Sequence, residues 1–392
     1  MHRTLRPPRF PRRRAMAGVT LVEMMVALGI GLALIAIMLS VYLSTKGASR
    51  RQEQISSIQN SVRVAFEYLA SDARMIGHEG CHTRGTTPAN VDNLDADAAA
   101  TELARNFGIG VEGWNYKTAD NALTLTSDTP ANITDANEFE LNKGAVPSIK
   151  TIPLTTVSPN GLTPGSDVLV MRLVTGRPIR LTEAAPIGNA IKIENVAGAA
   201  CPGESAPNKV SGFCQNSYGL IAGCGWAQYF RVQSIATATL TTSANLVKAY
   251  ETTAEVFPAQ TIVYYVRLGS NGTSPSLYRR TFDGTDDAGT EEELIAGVES
   301  LQVRYGLDTS VPPDQNRDGD YVTAEAIDTW SNVVAVRMSL LLRSDSAGDE
   351  SLTLPTSTPM NGLTITYPDG GARFDRRVFT TTVALRNKVA YY

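Results

Sequence analysis

The feature that most constrains this chain is the run Val19–Leu43, VTLVEMMVALGIGLALIAIMLSVYL, which holds a single charge, Glu23. As an α-helix it is about 37 Å long, against a bilayer hydrocarbon core of about 30 Å, so it spans with some tilt. The opening residues, MHRTLRPPRFPRRR, carry six arginines and no acid. Positive charge on that flank keeps that end cytoplasmic and sends everything after Leu43 outside. A cleaved secretory signal has a shorter apolar stretch, roughly 7–15 residues. An ordinary signal anchor fits the hydropathy equally well.

The basic arm also masks the acidity of the rest of the chain. The formal net charge is −4, but without residues 1–18 the chain holds 29 basic and 39 acidic residues. Phosphate-backbone affinity is built from Lys and Arg contacts, so direct nucleic-acid binding is not expected of such a body. Apolar content of 43% and charged content of 19% are those of a folded protein.

Past the apolar run, Ile55, Ile58, Val62, Ala65, Leu69, Ala73 and Ile76 recur at steps of three and four, with Arg50, Arg51, Glu53, Arg63, Glu67 and Asp72 largely off the stripe. That spacing predicts an amphipathic helix continuing the apolar one to Gly77. After Gly77 the pattern changes. A short helix is expected near Ala98–Asn106. Runs rich in β-branched residues come next, at 121–126, 167–174, 189–196, 229–236, 261–268, 276–282, 299–307, 332–344 and 376–387, punctuated by Gly, Pro, Asn and Asp. No helix-period segments alternate with them, which disfavours a parallel α/β sheet. The expected fold is α+β: one long helix packed on an antiparallel β-rich domain. The expected divisions are a leader 1–18, an apolar helix half 19–44, an amphipathic half 45–77 and a β-rich head 78–392.

Glu23 separates the readings of the apolar run. A carboxylate inside such a segment is costly and is a functional hypothesis by default. It stands fifth after Gly18 in AGVTLVE. This context resembles the class III signal of type IV pilins and pseudopilins. The resemblance implies cleavage by prepilin peptidase between Gly18 and Val19 and N-methylation of Val19, where the family usually has Phe. It also implies that Glu23 neutralises the amino terminus of a neighbouring subunit during filament assembly. The segments YLASDARMIGHEGC (68–81), LQVRYGLDT (301–309), WSNVVAVRMSLLLRS (330–344) and RRVFTTTVALRN (376–387) are similar to PilW-type minor pilins of type IV pili. That resemblance implies a pilin-like fold and a non-enzymatic subunit, inserted in the inner membrane with a periplasmic head and then carried on the pilus. The role it implies is priming of pilus initiation at or near the tip, with adhesion, twitching motility or DNA uptake served by the filament. Its implied partners are other minor pilins, the major pilin, inner-membrane assembly machinery and a tip adhesin. The chain ending also resembles large minor pseudopilins of type II secretion.

Other motifs suggest chemistry. Cys81, Cys201, Cys214 and Cys224 all fall in the part expected outside, where an even count reads as two disulfides. Sequence alone leaves three connectivities open; the expectation adopted is a local Cys201–Cys214 loop and a long-range Cys81–Cys224 staple. Residues 314–325, DQNRDGDYVTAE, satisfy a calcium-loop pattern with Asp314, Asn316, Asp318, Asp320 and Glu325 as oxygen donors, although Val322 offers none at the ninth position. HEGCH (78–82) matches the zinc-protease pattern His-Glu-x-x-His and would make the chain a membrane-anchored metalloenzyme. Two glycines bracket it, Gly77 and Gly80, so a stable helix carrying both histidines is not expected.

Overall fold

The computed structural model describes residues 18–81, 103–119, 121–125, 127–143, 151–196, 198, 200–201, 209–311, 313–314, 316–347, 355–368 and 374–388. Most of the basic leader, His82 and residues 98–102 of the expected short helix lie outside them; Leu103–Arg105 form a single helical turn. The chain divides into two units, Met1–Glu53 and Gln54–Tyr392.

One helix, α1 (Leu21–Met75), forms the described part of the first unit and enters the second. In the first unit every described residue of α1 is exposed except Gly31 and Arg51, which are half-buried. Its hydroxyls bond back into the helix: Ser40 Oγ donates to the Ile37 carbonyl at 2.8 Å and Thr45 Oγ1 to that of Val41 at 2.8 Å. These hydroxyls need no water, the condition a lipid-exposed helix must meet.

In the second unit the predicted stripe is buried: Ile58, Val62, Ala65, Leu69, Ala70 and Ala73 line one face. They share a core with Leu169, Met171 and Leu173 of β3 (Val168–Val174) and Ile262, Tyr264 and Val266 of β9 (Glu255–Leu268). The alternate residues of the same strands face the other way. Val168, Val170 and Val174, with Val263 and Tyr265, enter a second core holding Phe107, Trp114, Tyr218 and Tyr229. Burial on both faces is why these strands read as continuous apolar runs without alternation.

Among the described residues three sheets build the head. The largest orders β1 (Val111–Trp114), β3, β9, β6 (Tyr218–Ala222), β7 (Ala227–Ala236), β8 (Thr239–Thr242) and β5 (Ala190–Lys192). To β9 it adds β4 (Ile179–Arg180) and β10 (Pro275–Phe282), which carries β11 (Thr290–Ala296). A second sheet orders β13 (Asp318–Val322), β12 (Val298–Leu307), β14 (Val333–Arg343) and β17 (Arg376–Ala384). The third orders β15 (Ser357–Met360), β16 (Leu363–Thr366) and β2 (Ala122–Thr124). Among the described strands pairing is antiparallel except between β16 and β2, which is parallel and departs from the expectation. β14 is again two-sided: Val336, Met338, Leu340 and Leu342 meet the helix core, while Leu341 meets Leu123, Leu125, Met360, Ile365 and Tyr367 under the third sheet.

Arg172 and Asp167 are buried polar groups that fasten these strands. Arg172 of β3 and Glu112 of β1 form an ion pair with both side chains fully buried. The guanidinium also donates to the carbonyls of Leu103 (2.7 Å) and Ile109 (2.8 Å), fastening the chain that leads into β1. Removing one partner strands a buried charge, at a cost of about 3–5 kcal/mol, whereas replacing both with apolar groups is much less costly. Arg172→Met is therefore expected to lower stability by about that amount, and Arg172→Met with Glu112→Leu by clearly less, in denaturant unfolding of the detergent-solubilised chain.

Asp167, fully buried ahead of β3, stitches the first sheet to the second. Its carboxyl accepts from the Asn115 amide (2.9 Å), the Tyr116 backbone N–H (2.9 Å) and the Val303 N–H of β12 (2.8 Å). Burial lifts it from 3.8 to about 7, opposed by the Val303 and Tyr116 N–H groups and by Arg304. Between pH 4 and 7 the folded chain thus holds a proton that the unfolded chain releases, and this contribution to stability is lost as pH rises through that window. Asp167→Asn cannot titrate. Whatever its effect on absolute stability, it is expected to flatten the pH slope over this range by up to about 1.4 kcal/mol per unit, read from unfolding midpoints at stepped pH.

Candidate functional site

The residues singled out from sequence fall in three places. At the start of α1, Gly18, Val19 and Thr20 are exposed and precede the helix, and a side chain at Gly18 would meet nothing within 4 Å. Thr20 caps the helix: its carbonyl accepts from Met24 N–H at 3.1 Å and its Oγ1 from Glu23 N–H at 3.3 Å. Thr-x-x-Glu at this spacing is the capping-box pattern, and Glu23 stands in the first turn, where a carboxylate complements the helix dipole. Glu23 thus has a local role that sequence reasoning missed, although TLVE showed it. Around it Val19, Leu21, Val22, Met24 and Met25 are each at least 60% exposed. A continuous apolar face of this size requires lipid or protein against it.

The second place is the exit from α1. Asp72, in its last turns, accepts from the Tyr264 hydroxyl of β9 at 2.6 Å and pairs with Arg279 of β10 at 3.1 Å. Burial, then the Asp72 charge, holds the Tyr264 phenol protonated far above its ordinary range. Asn387 donates to the Arg74 carbonyl at 2.7 Å, bringing the chain's C-terminal segment to the same helix end. The helix stops at Met75; Ile76 bridges to Leu173, and Gly77 (φ 73°) and Gly80 (φ 61°) turn the chain through left-handed conformations that glycine adopts without strain.

HEGCH therefore begins after the helix has ended. His78 packs edge-on against Phe257 with ring centroids 5.6 Å apart, Glu79 is buried, and Cys81 is joined to Cys224 in the turn between β6 and β7. A zinc protease presents its histidines from one helical face, and His78 lies beyond the end of the helix. The second disulfide joins Cys201 to Cys214.

The third place is the stretch 314–325. Its centre is strand: β13 pairs Leu307 with Asp318 and Tyr305 with Val322. Asp314 accepts from the Asn316 backbone (2.9 Å) and side chain (3.0 Å), which hold its carboxyl below the usual range. Asp318 accepts from Thr309 N–H at 2.7 Å and its hydroxyl at 3.1 Å, and Glu325 is bonded by Thr323. Asp320, on β13 with Asp318, completes the predicted set. Among the described residues no three His, Cys, Asp or Glu side chains gather to hold a metal. Oxygens of Asp314, Asp318 and Glu325, three of the donors in the expected calcium set, accept hydrogen bonds from Asn316, Thr309 and Thr323.

No curated protein matches the chain in sequence. Among solved structures, a type IV-like pilin from Thermus thermophilus is 20% identical with a TM-score of 0.20. The match covers 33% of this chain and 66% of that one, just under two thirds of its length. Residues 263–387, from the second half of β9 through β17, match the family model of the type IV pilus-assembly protein W. This stretch holds β10, β12 and β14, which supply one wall of the core around α1, and its match supports a PilW-type pilin.

Proposed function

We propose that this chain is a minor pilin of a type IV pilus, matured by prepilin peptidase between Gly18 and Val19, with Val19 then N-methylated. It enters the inner membrane through residues 21–43 with its amino terminus cytoplasmic, holds its head in the periplasm, and then passes into the pilus. The observation that carries this reading is a single helix, apolar and exposed through its first half and seated through its last turns in a PilW-like sheet. Such a helix offers its first half to lipid and afterwards to neighbouring helices, while its last turns carry the head. With 374 residues left after cleavage at Gly18, the subunit is bulky for repeated stacking along a filament, which favours a low-copy position at or near the tip. There the chain would prime initiation with other minor pilins, meet the major pilin below and present a tip adhesin, serving adhesion and twitching motility. Its work is assembly rather than catalysis.

Glu23 is assigned the charge partner of a neighbouring amino terminus, since both charges are costly alone in a low-dielectric helix bundle and tolerable as a pair. Its carboxylate in the first helical turn complements the helix dipole, which makes alanine an ambiguous replacement. Glutamine keeps the capping pattern and removes the charge. Amino-terminal sequencing of the cellular protein is expected to begin at Val19; a start at Met1 or beyond Leu43 refutes the processing step. Glu23→Gln is expected to be cleaved normally but depleted from sheared pili by at least about tenfold on immunoblots, a loss corresponding to about 1.4 kcal/mol. Wild-type incorporation would leave Glu23 only its place in the first helical turn.

A further inference from the structure

The two disulfides differ in a way that the assembly role does not use. Cys201 and Cys214 are 7% and 2% exposed and lie 13 residues apart in the chain. Cys81 and Cys224 are both exposed and close a separation of 143 residues. Cys224 is flanked by Gly223 and Gly225, which present no side chain to an approaching group, and a side chain at Gly225 would meet nothing within 4 Å. The Gly223 N–H closes the turn on the Trp226 carbonyl at 2.9 Å, and Trp226 itself is 41% exposed beneath the Lys248 ammonium. Exchange requires a thiolate to reach one sulfur along the S–S axis, so access divides inert disulfides from labile ones.

We propose that Cys81–Cys224 is a thiol–disulfide exchange site, open to a dithiol oxidoreductase of the oxidising compartment, and that Cys201–Cys214 is not. In the reducing direction the dithiol's thiolate bonds to one protein sulfur and expels the other as a thiolate, which takes a proton. The second thiol of the reagent then displaces the protein from the mixed disulfide. The dithiol is oxidised by two electrons, and Cys81 and Cys224 are left as thiols. The reverse sequence closes the bond and fixes the chain leaving α1 to the β6–β7 turn. Opening it leaves the head assembled, because α1 keeps its buried stripe, the Asp72 contacts and the Ile76–Leu173 bridge.

The test uses the full chain in detergent, exposed to graded dithiothreitol, quenched with iodoacetamide and read by peptide mass spectrometry. Cys81 and Cys224 are expected to alkylate together at a reductant concentration at least about tenfold below that needed for Cys201 and Cys214, which for a two-electron couple is about 30 mV. Simultaneous labelling of all four, or earlier labelling of Cys201 and Cys214, overturns the assignment. A thioredoxin variant lacking its resolving cysteine is expected to be trapped on Cys81 or Cys224; no adduct, or an adduct on the other pair, overturns it equally. The Cys81→Ser/Cys224→Ser chain is expected to keep wild-type helical content by circular dichroism, and its loss would assign the bond to folding rather than exchange.

Discussion

The insertion of one helical stripe between sheets governs the rest of this structure. Ile58, Val62, Ala65, Leu69 and Ala73 lie on one face because their spacing follows the helical repeat. That face is narrow and made partly of alanine, so strands approach it closely, and Met171 and Leu173 from β3 and Ile262 and Tyr264 from β9 close over it. Covering a helix on one side uses only half of each strand. The other half of β3 and β9 needs a second core, and Phe107, Trp114, Tyr218 and Tyr229 supply it. That demand gives the head its several sheets.

Much of this was legible and some was not, for reasons that differ by element. α1 was readable end to end because both of its environments impose a pattern, continuous apolarity and then a periodic stripe. β3, β9, β12 and β14 were readable from β-branched content, though not from alternation, since strands buried on both faces have no polar side to alternate with; β17, largely half-buried or exposed, was readable from β-branched content too. β1, β4, β6, β8, β11, β13, β15 and β16 escaped. Some are too short to show a period, as with the two residues of β4. β13 is written in turn residues, DGDYV, and becomes a strand only because β12 offers it an edge. The parallel β16–β2 pair joins segments more than two hundred residues apart, a relation that local pattern does not contain.

The candidate site shows the same division. The Gly18–Glu23 signal is local and was fully present in the sequence, including the cap that Thr20 forms. The calcium pattern at 314–325 is equally local: it counts oxygen donors without asking what else can bond them. Thr309, Asn316 and Thr323 do so here. The disulfides pair as expected, Cys81 with Cys224 and Cys201 with Cys214, but spacing alone left three connectivities open, and it is the β6–β7 turn that brings Cys224 to Cys81, 143 residues earlier.

That helix end unites the structural and functional readings. A subunit whose helix is held in a membrane or filament transmits any pull on its head through the residues where helix becomes sheet. Here the junction is held by Asp72 on Tyr264 and Arg279, by Asn387 on the Arg74 carbonyl, and by Ile76 bridged to Leu173. Each is a non-covalent contact on the order of one to three kcal/mol, and a group of them yields together once the first gives way. The Cys81–Cys224 bond adds a covalent path from the helix exit to a different part of the same sheet, beside β9, so load reaching it bypasses the Tyr264 and Leu173 contacts. Gly77 and Gly80 make that path possible by turning the chain sharply enough for Cys81 to reach the β6–β7 turn.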